Sequence, residues 1–146
     1  EKDTLKKYAK DKELSNIKFY GQRSLEEMPE FYNKADAMLI TLKDNDIVSY
    51  TIPNKMQSYM AVRKPVIGSI NGAVNRLINE ANCGYCVQAE DPVGLANIIV
   101  EFYELSYAKK KILADNSLDF YEKNFKKTLF MKRLNKFIEK EVDEDV

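Results

Sequence analysis

The chain has 146 residues, of which 45% are hydrophobic and 32% charged, a composition that suits one globular domain with a substantial core. Its 23 basic and 23 acidic residues cancel, so no overall positive field attracts nucleic acid, and we expect no nucleic-acid partner. The sequence contains no histidine. Any catalytic histidine must therefore come from outside this chain.

The two cysteines bear on a possible redox or metal site, and the lack of long apolar segments bears on membrane insertion. Cys83 and Cys86 form a C-x-x-C pair, a spacing found in redox and metal sites, but no other cysteine and no histidine completes a zinc site. We interpret them as reduced thiols at the edge of the core and expect no metal. No segment approaches the roughly 20 apolar residues of a membrane span, and the charged start is unlike a signal peptide. A cytoplasmic location is expected.

The first part of the chain predicts a helix, a short strand and a second helix. Residues 2–14 carry helix formers with Leu5, Tyr8 and Ala9 on one face, and a crossover helix without a preceding strand indicates that the sequence begins inside a βαβ unit. Residues 16–21 read as a short strand that ends on a glycine turn. Ser24-x-x-Glu27 resembles a capping box. The helix that follows begins between residues 24 and 28, close to Pro29.

Alternating strands and helices follow. The apolar runs at residues 37–42 and 65–70 predict strands buried on both faces, with a polar loop over residues 43–50 after the first. Further elements are a helix over residues 74–81, a strand over 85–88, and a helix over 93–104 that Asp91 and Pro92 open. This order predicts an α/β fold, a Rossmann-like doubly wound parallel sheet that is incomplete at its N-terminal edge.

Residues 107–142 show only helical patterns, divided near Phe125, and we predict a C-terminal helical extension of the single domain. Both halves are rich in lysine. One interpretation is a solvated face whose apolar side packs back on the sheet. The other is that the lysines bind a membrane surface, which would place the full enzyme peripherally at the inner face of the membrane.

The start of the helix after the polar loop carries the sharpest local signal. Thr51 is predicted as its N-cap and Pro53 lies in the first turn, which leaves the N–H groups of Ile52, Asn54 and Lys55 free for an anion. The Lys55 ammonium emerges there and can reach a phosphate. An ordinary capped helix with a solvent-exposed lysine is an equally good interpretation. The apolar face of this helix is predicted to consist of Ile52, Met56, Tyr59 and Met60.

Several stretches in order resemble a known family. They are F-Y-G, P-E-F-Y-N-K-A-D-A-M-L-I, I-P-N-K-M-Q-S-Y-M-A-V-R-K-P-V-I-G-S and E-A-N-C-G-Y-C-V-Q-A-E-D-P-V-G-L-A. Together they resemble the C-terminal, nucleotide-sugar-binding domain of retaining glycosyltransferases with the GT-B fold, in the family-four group. The similarity is greatest to bacterial sugar transferases of capsule and O-antigen assembly.

The resemblance implies a role for particular residues. It places the base of a nucleoside diphosphate sugar, such as a UDP-sugar, near Tyr20, Gly21 and Gln22. It places the diphosphate at the helix start formed by residues 51–55, and the ribose at Ser58. Ser58 stands where the family has an acidic residue, and a serine hydroxyl bonds a ribose less strongly than a carboxylate does.

The resemblance also implies what lies outside the sequence. The family's C-terminal domain begins with strands and phosphate-binding basic residues that do not precede residue 1 here. We therefore expect the acceptor domain and the catalytic groups, whose identity stays unknown, to be missing and the chain alone to be inactive. The intact enzyme would transfer a sugar with retention, with no cofactor beyond the sugar-nucleotide substrate and without a metal.

Two other classes share the predicted βαβ rhythm. A receiver-type regulatory module needs acidic residues clustered at the ends of early strands, and the only candidates are Asp44 and Asp46. A non-catalytic, protein-binding Rossmann-like domain would use the helical tail as its interface.

Overall fold

A computed structural model describes residues 2–44 and 50–144. The centre of the polar loop predicted over residues 43–50, including Asp46, lies outside the described residues. The chain forms two compact units, Glu1–Phe31 and Tyr32–Val146. The elements in chain order are α1 (Lys2–Asp11), α2 (Met28–Lys34), β1 (Met38–Thr41), α3 (Asn54–Ala61), β2 (Val66–Ser69), α4 (Ala73–Ala81), β3 (Gly84–Val87), α5 (Pro92–Glu104), α6 (Tyr107–Asn124) and α7 (Lys127–Glu144).

The first unit contains α1, a stretch of irregular backbone and the first residues of α2. The predicted helix is present but ends at Asp11, because the chain turns at Glu13, where φ is 55°, and the Leu14 N–H donates to the Ala9 carbonyl at 2.9 Å. Ala9 is buried, whereas Leu5 is 57% exposed. The predicted apolar face is therefore covered only in part.

The strand predicted over residues 16–21 is wrong. The segment is irregular, and no strand of the described residues pairs with it. Its apolar residues favour extended backbone, but a strand also needs a partner for its N–H and C=O groups. Ile17 and Phe19 remain substantially exposed. One bond of the predicted capping box is present, because the Glu27 carboxylate accepts from the Ser24 N–H at 3.0 Å.

The second unit is built on a parallel sheet of three strands in the order β1-β2-β3. Met38 pairs with Val66, and Val66 pairs in turn with Gly84. The strands closely match the runs predicted from the sequence. All four residues of β2 are buried, as expected for the central strand of a parallel sheet.

Helices cover both faces of this sheet, which confirms the predicted Rossmann-like class. On one face, α3 and α4 enclose the main core. Its buried residues are Ile40, Met56, Met60, Val66, Ile70, Val74, Leu77, Ile78, Ala81 and Cys83. On the other face, Phe102 of α5 packs with Ile67 and with Leu113 of α6. Burial of apolar side chains on both faces is the main stabilising contribution to such a unit.

Strand β1 differs from the prediction in one respect. Ile40 is fully buried, but the neighbouring Leu39 is 50% exposed, so β1 is not buried on both faces as predicted. Successive side chains of a strand point to opposite faces, and α5, which covers the second face, packs on β2 and β3. Leu39 therefore lies at the edge of the sheet beyond the cover of α5.

Helix α6 lies across the amino ends of two strands. The fully buried Ser117 hydroxyl donates to the Lys64 backbone carbonyl at 2.9 Å. The side-chain Nδ2 of Asn116 donates to the Asn82 backbone carbonyl at 2.8 Å. These carbonyls come just before β2 and β3. The carboxyl ends of the strands, where open α/β sheets bind ligands, lie at the opposite edge.

The tail divides at Phe125 as predicted, but only its first half packs on the sheet. Leu113 and Ser117 of α6 are buried. Five large apolar side chains of α7 are exposed, with Phe130 at 60% and Phe137 at 62%, so the prediction that both halves pack back on the sheet is wrong for α7. No helix among residues 2–44 and 50–144 combines the length and apolarity needed to cross a membrane.

Candidate functional site

The candidate site lies at the carboxyl ends of β1, β2 and β3. Since the strands are parallel, the loops that follow them meet at one edge of the sheet, and each loop leads into the first turn of α3, α4 or α5. Open α/β sheets bind ligands at this edge. Helix N-termini there turn free N–H groups and the positive end of the helix dipole toward an anion.

Helix α3 begins later than the sequence predicts. Its N-cap is Pro53, with φ −62° and ψ 143°, and no side chain in the described part of the chain caps the helix. The prediction of Thr51 as N-cap is therefore wrong. The physical reason is that proline disfavours helical backbone in the residue before it, so Ile52 stays outside the helix. Among the described residues, the first-turn amides without a partner are those of Asn54 and Lys55, since the Met56 N–H donates to the Pro53 carbonyl at 2.9 Å.

The buried and exposed sides of α3 match the predicted pattern. Met56 and Met60 are fully buried in the main core, and Ile52 and Tyr59 pack against it. Anchored by these side chains, the helix leaves Lys55 exposed in its first turn. A flexible, exposed ammonium beside free helix amides suits an anion more than a neutral ligand.

Ser58 lies one turn further along α3. Its hydroxyl donates to the Asn54 carbonyl at 3.2 Å, a common arrangement for serine inside a helix. This bond uses the hydroxyl proton, while the oxygen lone pairs can still accept a hydrogen bond. The predicted ribose contact would thus have Ser58 as acceptor from a ribose hydroxyl, and it stays a prediction.

The residues predicted to hold the base belong to the first unit. Tyr20 is 55% exposed, and its ring meets that of Phe31 edge to face with centroids 5.0 Å apart. Gly21 has φ of 78°, a backbone conformation that glycine adopts without strain. Gln22 is exposed. The residues predicted to bind the diphosphate and the ribose belong to the second unit. The prediction for the base therefore stands by itself.

Asn71 joins two turns at this edge, and Asp91 caps the helix that follows the second turn. The side-chain Oδ1 of Asn71 accepts from the Ala89 backbone N–H at 3.0 Å, which joins the β2–α4 turn to the β3–α5 turn. Asp91 accepts from the Gly94 N–H at 2.8 Å and so caps α5, as predicted. Asn and Asp in such turns are usually read as local turn formers; the contact from Asn71 to Ala89 depends on strand pairing.

A cavity of about 360 Å³ opens at the same edge. Thr41, Lys43 and Ser69 line one part of it, and Glu90 and Asp91 line another. Sequence reasoning assigned no role to this cavity, whose residues come from separate strands and turns. Its lining shares no residue with the start of α3.

The C-x-x-C pair belongs to the core. Both cysteines are free, Cys83 buried and Cys86 half-buried. Burial raises the pKa of the Cys83 thiol to about 12 and also raises the pKa of Cys86. Reactive cysteines have lowered pKa values, so these thiols have the character of core residues. Within the described residues, no group of three or more His, Cys, Asp or Glu could hold a metal ion.

Comparison with known proteins decides the family. The model of the family "Glycosyl transferases group 1" matches residues 1–104, which is more than half of the chain. This chain belongs to the glycosyl transferases group 1 family.

A curated protein that is similar to this chain is also named as a glycosyltransferase. A protein from Pseudomonas aeruginosa named "Probable glycosyltransferase WbjE" is 30% identical over 105 residues, which are 70% of this chain and 26% of the relative. The chain thus spans about a quarter of the length of that relative. No solved structure matches the chain. The group 1 match includes every predicted site residue and ends at Glu104, so α6 and α7 lie beyond it.

Proposed function

We propose that this chain is the donor-binding portion of a glycosyltransferase that moves a sugar from a nucleoside diphosphate sugar to a polysaccharide, lipid-linked or other glycan acceptor. The proposal is supported by the group 1 match over residues 1–104. The observation that carries it is the exposed Lys55 in the first turn of a helix without a side-chain cap, at the carboxyl edge of a parallel sheet.

In this proposal the start of α3 holds the diphosphate. The N–H groups of Asn54 and Lys55 and the Lys55 ammonium face the anion, with the rest of residues 51–55 shaping the backbone around it. Ser58 accepts a hydrogen bond from the ribose. Tyr20, Gly21 and Gln22 contact the base.

The same groups would serve the reaction. As the bond between sugar and diphosphate breaks, negative charge develops on the departing diphosphate, and fixed amides and a cation at that position stabilise it more than they stabilise the intact donor. We propose that these groups act without a resident metal. The catalytic groups and the acceptor-binding domain belong to another part of the enzyme, and the chain alone binds nucleotide weakly without turnover.

The donor and the acceptor are proposed by class. UDP is the nucleotide that we would test first, and the acceptor is a glycan of bacterial capsule or O-antigen assembly. The enzyme would meet both in the cytoplasm, where sugar nucleotides are found.

Titration of the ¹⁵N-labelled chain with UDP, GDP and their sugars, followed by NMR, tests the proposal. We expect amide shifts at Asn54, Lys55 and Ser58 and at Gly21 and Gln22. An absence of shifts in both segments would refute the proposal and favour the non-catalytic alternative. Shifts confined to Gly21 and Gln22 would refute the diphosphate assignment alone.

A lysine substitution isolates the charge contribution. Lys55→Ala removes one charge-assisted contact and should weaken UDP binding about tenfold, which corresponds to about 1.4 kcal/mol. Lys109→Ala is the matched control, because Lys109 is exposed in the first turn of α6, the helix that lies at the opposite edge of the sheet. Equal affinity of the two variants would contradict the role of Lys55.

A further inference from the structure

A cavity at the amino edge of the sheet is lined by several basic side chains. It is formed by α6 and by residues that precede β1 and β2, and its volume is about 270 Å³. The charged residues that line it are Asp36, Arg63, Lys64, Lys110 and Lys111. We call it the amino-edge cavity. It shares no residue with the proposed donor site or with the cavity at the carboxyl edge.

Two lysines of this cavity are half-buried cations that bond only to backbone carbonyls. The Lys64 ammonium donates to the carbonyls of Asn33 at 3.3 Å and Ala35 at 2.7 Å. The Lys110 ammonium donates to the Tyr103 carbonyl at 2.9 Å. Among residues 2–44 and 50–144, neither lysine forms an ion pair with an Asp or a Glu. A carbonyl carries no net charge, so both positive charges remain uncompensated.

The other two cations share one carboxylate. Lys111 Nζ lies 2.7 Å from Oδ2 of Asp115, and the Arg63 guanidinium bonds to Oδ1 of the same residue. The hydrogen bonds from Lys111 and Arg63 lower the pKa of the Asp115 carboxyl, so it stays ionised. Asp36 is the second carboxylate at the cavity. Four cations therefore meet two carboxylates, which leaves an excess of two positive charges.

This excess favours a doubly charged anion. We propose that the amino-edge cavity binds a small phosphate dianion, either inorganic phosphate or the phosphate group of a small ester. A phosphate group carries about −1.5 to −2 charges at pH 7 and presents three strong acceptor oxygens. An ammonium group has three donors. Each lysine of the cavity can therefore keep its present bonds and still donate to a phosphate oxygen.

The cavity differs from an ordinary solvated lysine surface. Lys64 and Lys110 are half-buried, and removing a cation from water costs free energy that a bound anion offsets. A water molecule occupies about 30 Å³ in the liquid, so 270 Å³ leaves room for an organic substituent beside the phosphate. Tyr107, which also lines the cavity and is 82% exposed, offers a ring against which such a substituent can lie.

NMR titration of the ¹⁵N-labelled 146-residue chain with sodium phosphate, at about pH 7.5 and with ionic strength held constant by sodium chloride, tests the proposal. We expect saturable amide shifts at Arg63, Lys64, Lys110 and Lys111. Binding of phosphate should weaken at about pH 5.5, where phosphate loses one charge, whereas binding of sulfate should not. Glycerol 3-phosphate is the second phosphate probe. Tighter binding of this ester would identify a phosphate ester as the ligand, and equal affinity would identify inorganic phosphate.

Charge variants make the test specific to this cavity. Lys110→Gln/Lys111→Gln should bind phosphate about 25-fold more weakly, at about fivefold per lost charge. Lys109→Gln is the matched control, because Lys109 is an exposed lysine of the same helix that does not line the cavity. It should bind as the unsubstituted chain does. Asp115→Asn removes a competing carboxylate and should bind phosphate about fivefold more tightly.

Three results would overturn the proposal. They are an absence of saturable shifts, shifts confined to Asn54 and Lys55, and equal affinity of the Lys110→Gln/Lys111→Gln and Lys109→Gln variants while circular dichroism shows unchanged helix content. Shifts confined to Asn54 and Lys55 would place phosphate at the proposed donor site instead. Since the cavity shares no residue with that site, failure of the UDP titration would leave these expectations unchanged.

Discussion

The buried thiol of Cys83 links folding stability to pH. Its side chain is fully buried in the main core, and that burial raises the thiol pKa from 9.0 to about 12. A group whose pKa is raised by folding stabilises the folded state fully below the unfolded pKa. That contribution is lost as pH rises toward the folded value. The window in which the protein loses this stability is therefore between pH 9 and pH 12.

The size of the effect follows from the two pKa values. At pH 10 most unfolded chains carry a Cys83 thiolate, while the folded chain keeps the thiol protonated. The free energy of unfolding should then be about 1.4 kcal/mol lower than at pH 7 through this residue alone. Other groups also titrate in this range, so the measurement needs a variant that lacks the thiol.

Cys83→Ala supplies that comparison. At pH 7 the variant should be less stable by about 1 kcal/mol, because it loses the packing of one buried sulfur. The difference should shrink toward zero at pH 10, where the parent has lost the contribution of its thiol. Val74→Ala is the control: Val74 is fully buried in the same core and does not ionise, so its deficit should not depend on pH.

Urea unfolding followed by circular dichroism, at intervals from pH 7 to pH 10, gives the three stability curves. A Cys83→Ala deficit that stays constant across this range would refute the reasoning. Carboxymethylation of Cys83 in the folded protein as fast as in the unfolded chain would refute it independently, because a reactive thiolate needs exposure and a low pKa.

Two substitutions test the sheet and the capping of α5. Gly84→Ala should destabilise the second unit by about 3 kcal/mol or more in thermal unfolding, since a Cβ at Gly84 overlaps the Val66 carbonyl of the paired strand. The control Gln88→Ala, at an exposed position after β3, should have little effect in the same experiment. Similar losses of stability for both variants would contradict this explanation. Asp91→Ala should lower the free energy of unfolding by about 1 kcal/mol through loss of the hydrogen bond to the Gly94 N–H. In urea unfolding, Asp91→Asn should recover most of this loss, because asparagine can also cap a helix. An Asn variant as unstable as the Ala variant would show that the cap is not the cause.

Elements with strong local patterns could be predicted from the sequence. The apolar run over residues 65–70 predicts a buried strand, and β2 is buried in all four residues. Asp91 followed by Pro92 predicts a helix start, and α5 begins at Pro92 with Asp91 as its cap. The spacing of Met56 and Met60 predicts the buried side of α3, and both are fully buried. These features succeed because the decisive interactions lie within one turn or one strand.

Features that depend on a distant partner could not be predicted in this way. The pattern of residues 16–21 fits a strand, but a strand forms only where another strand satisfies its backbone. Leu39 belongs to an apolar run, yet its exposure depends on which strands α5 covers. The apolar residues of α7 predict a packed face, and their exposure could not be seen without knowing where the helix lies.

The candidate site shows the same division. The sequence determined the order of strands and helices and the exposed lysine near the start of α3, and its family resemblance predicts the class of ligand. The tertiary structure decided that α3 begins at Asn54, that Asn71 joins two turns at the carboxyl edge, and that α6 crosses the opposite edge through Ser117. The physical reason is that local backbone preferences depend on neighbouring residues. The pairing of separate strands and turns depends on the folded chain as a whole.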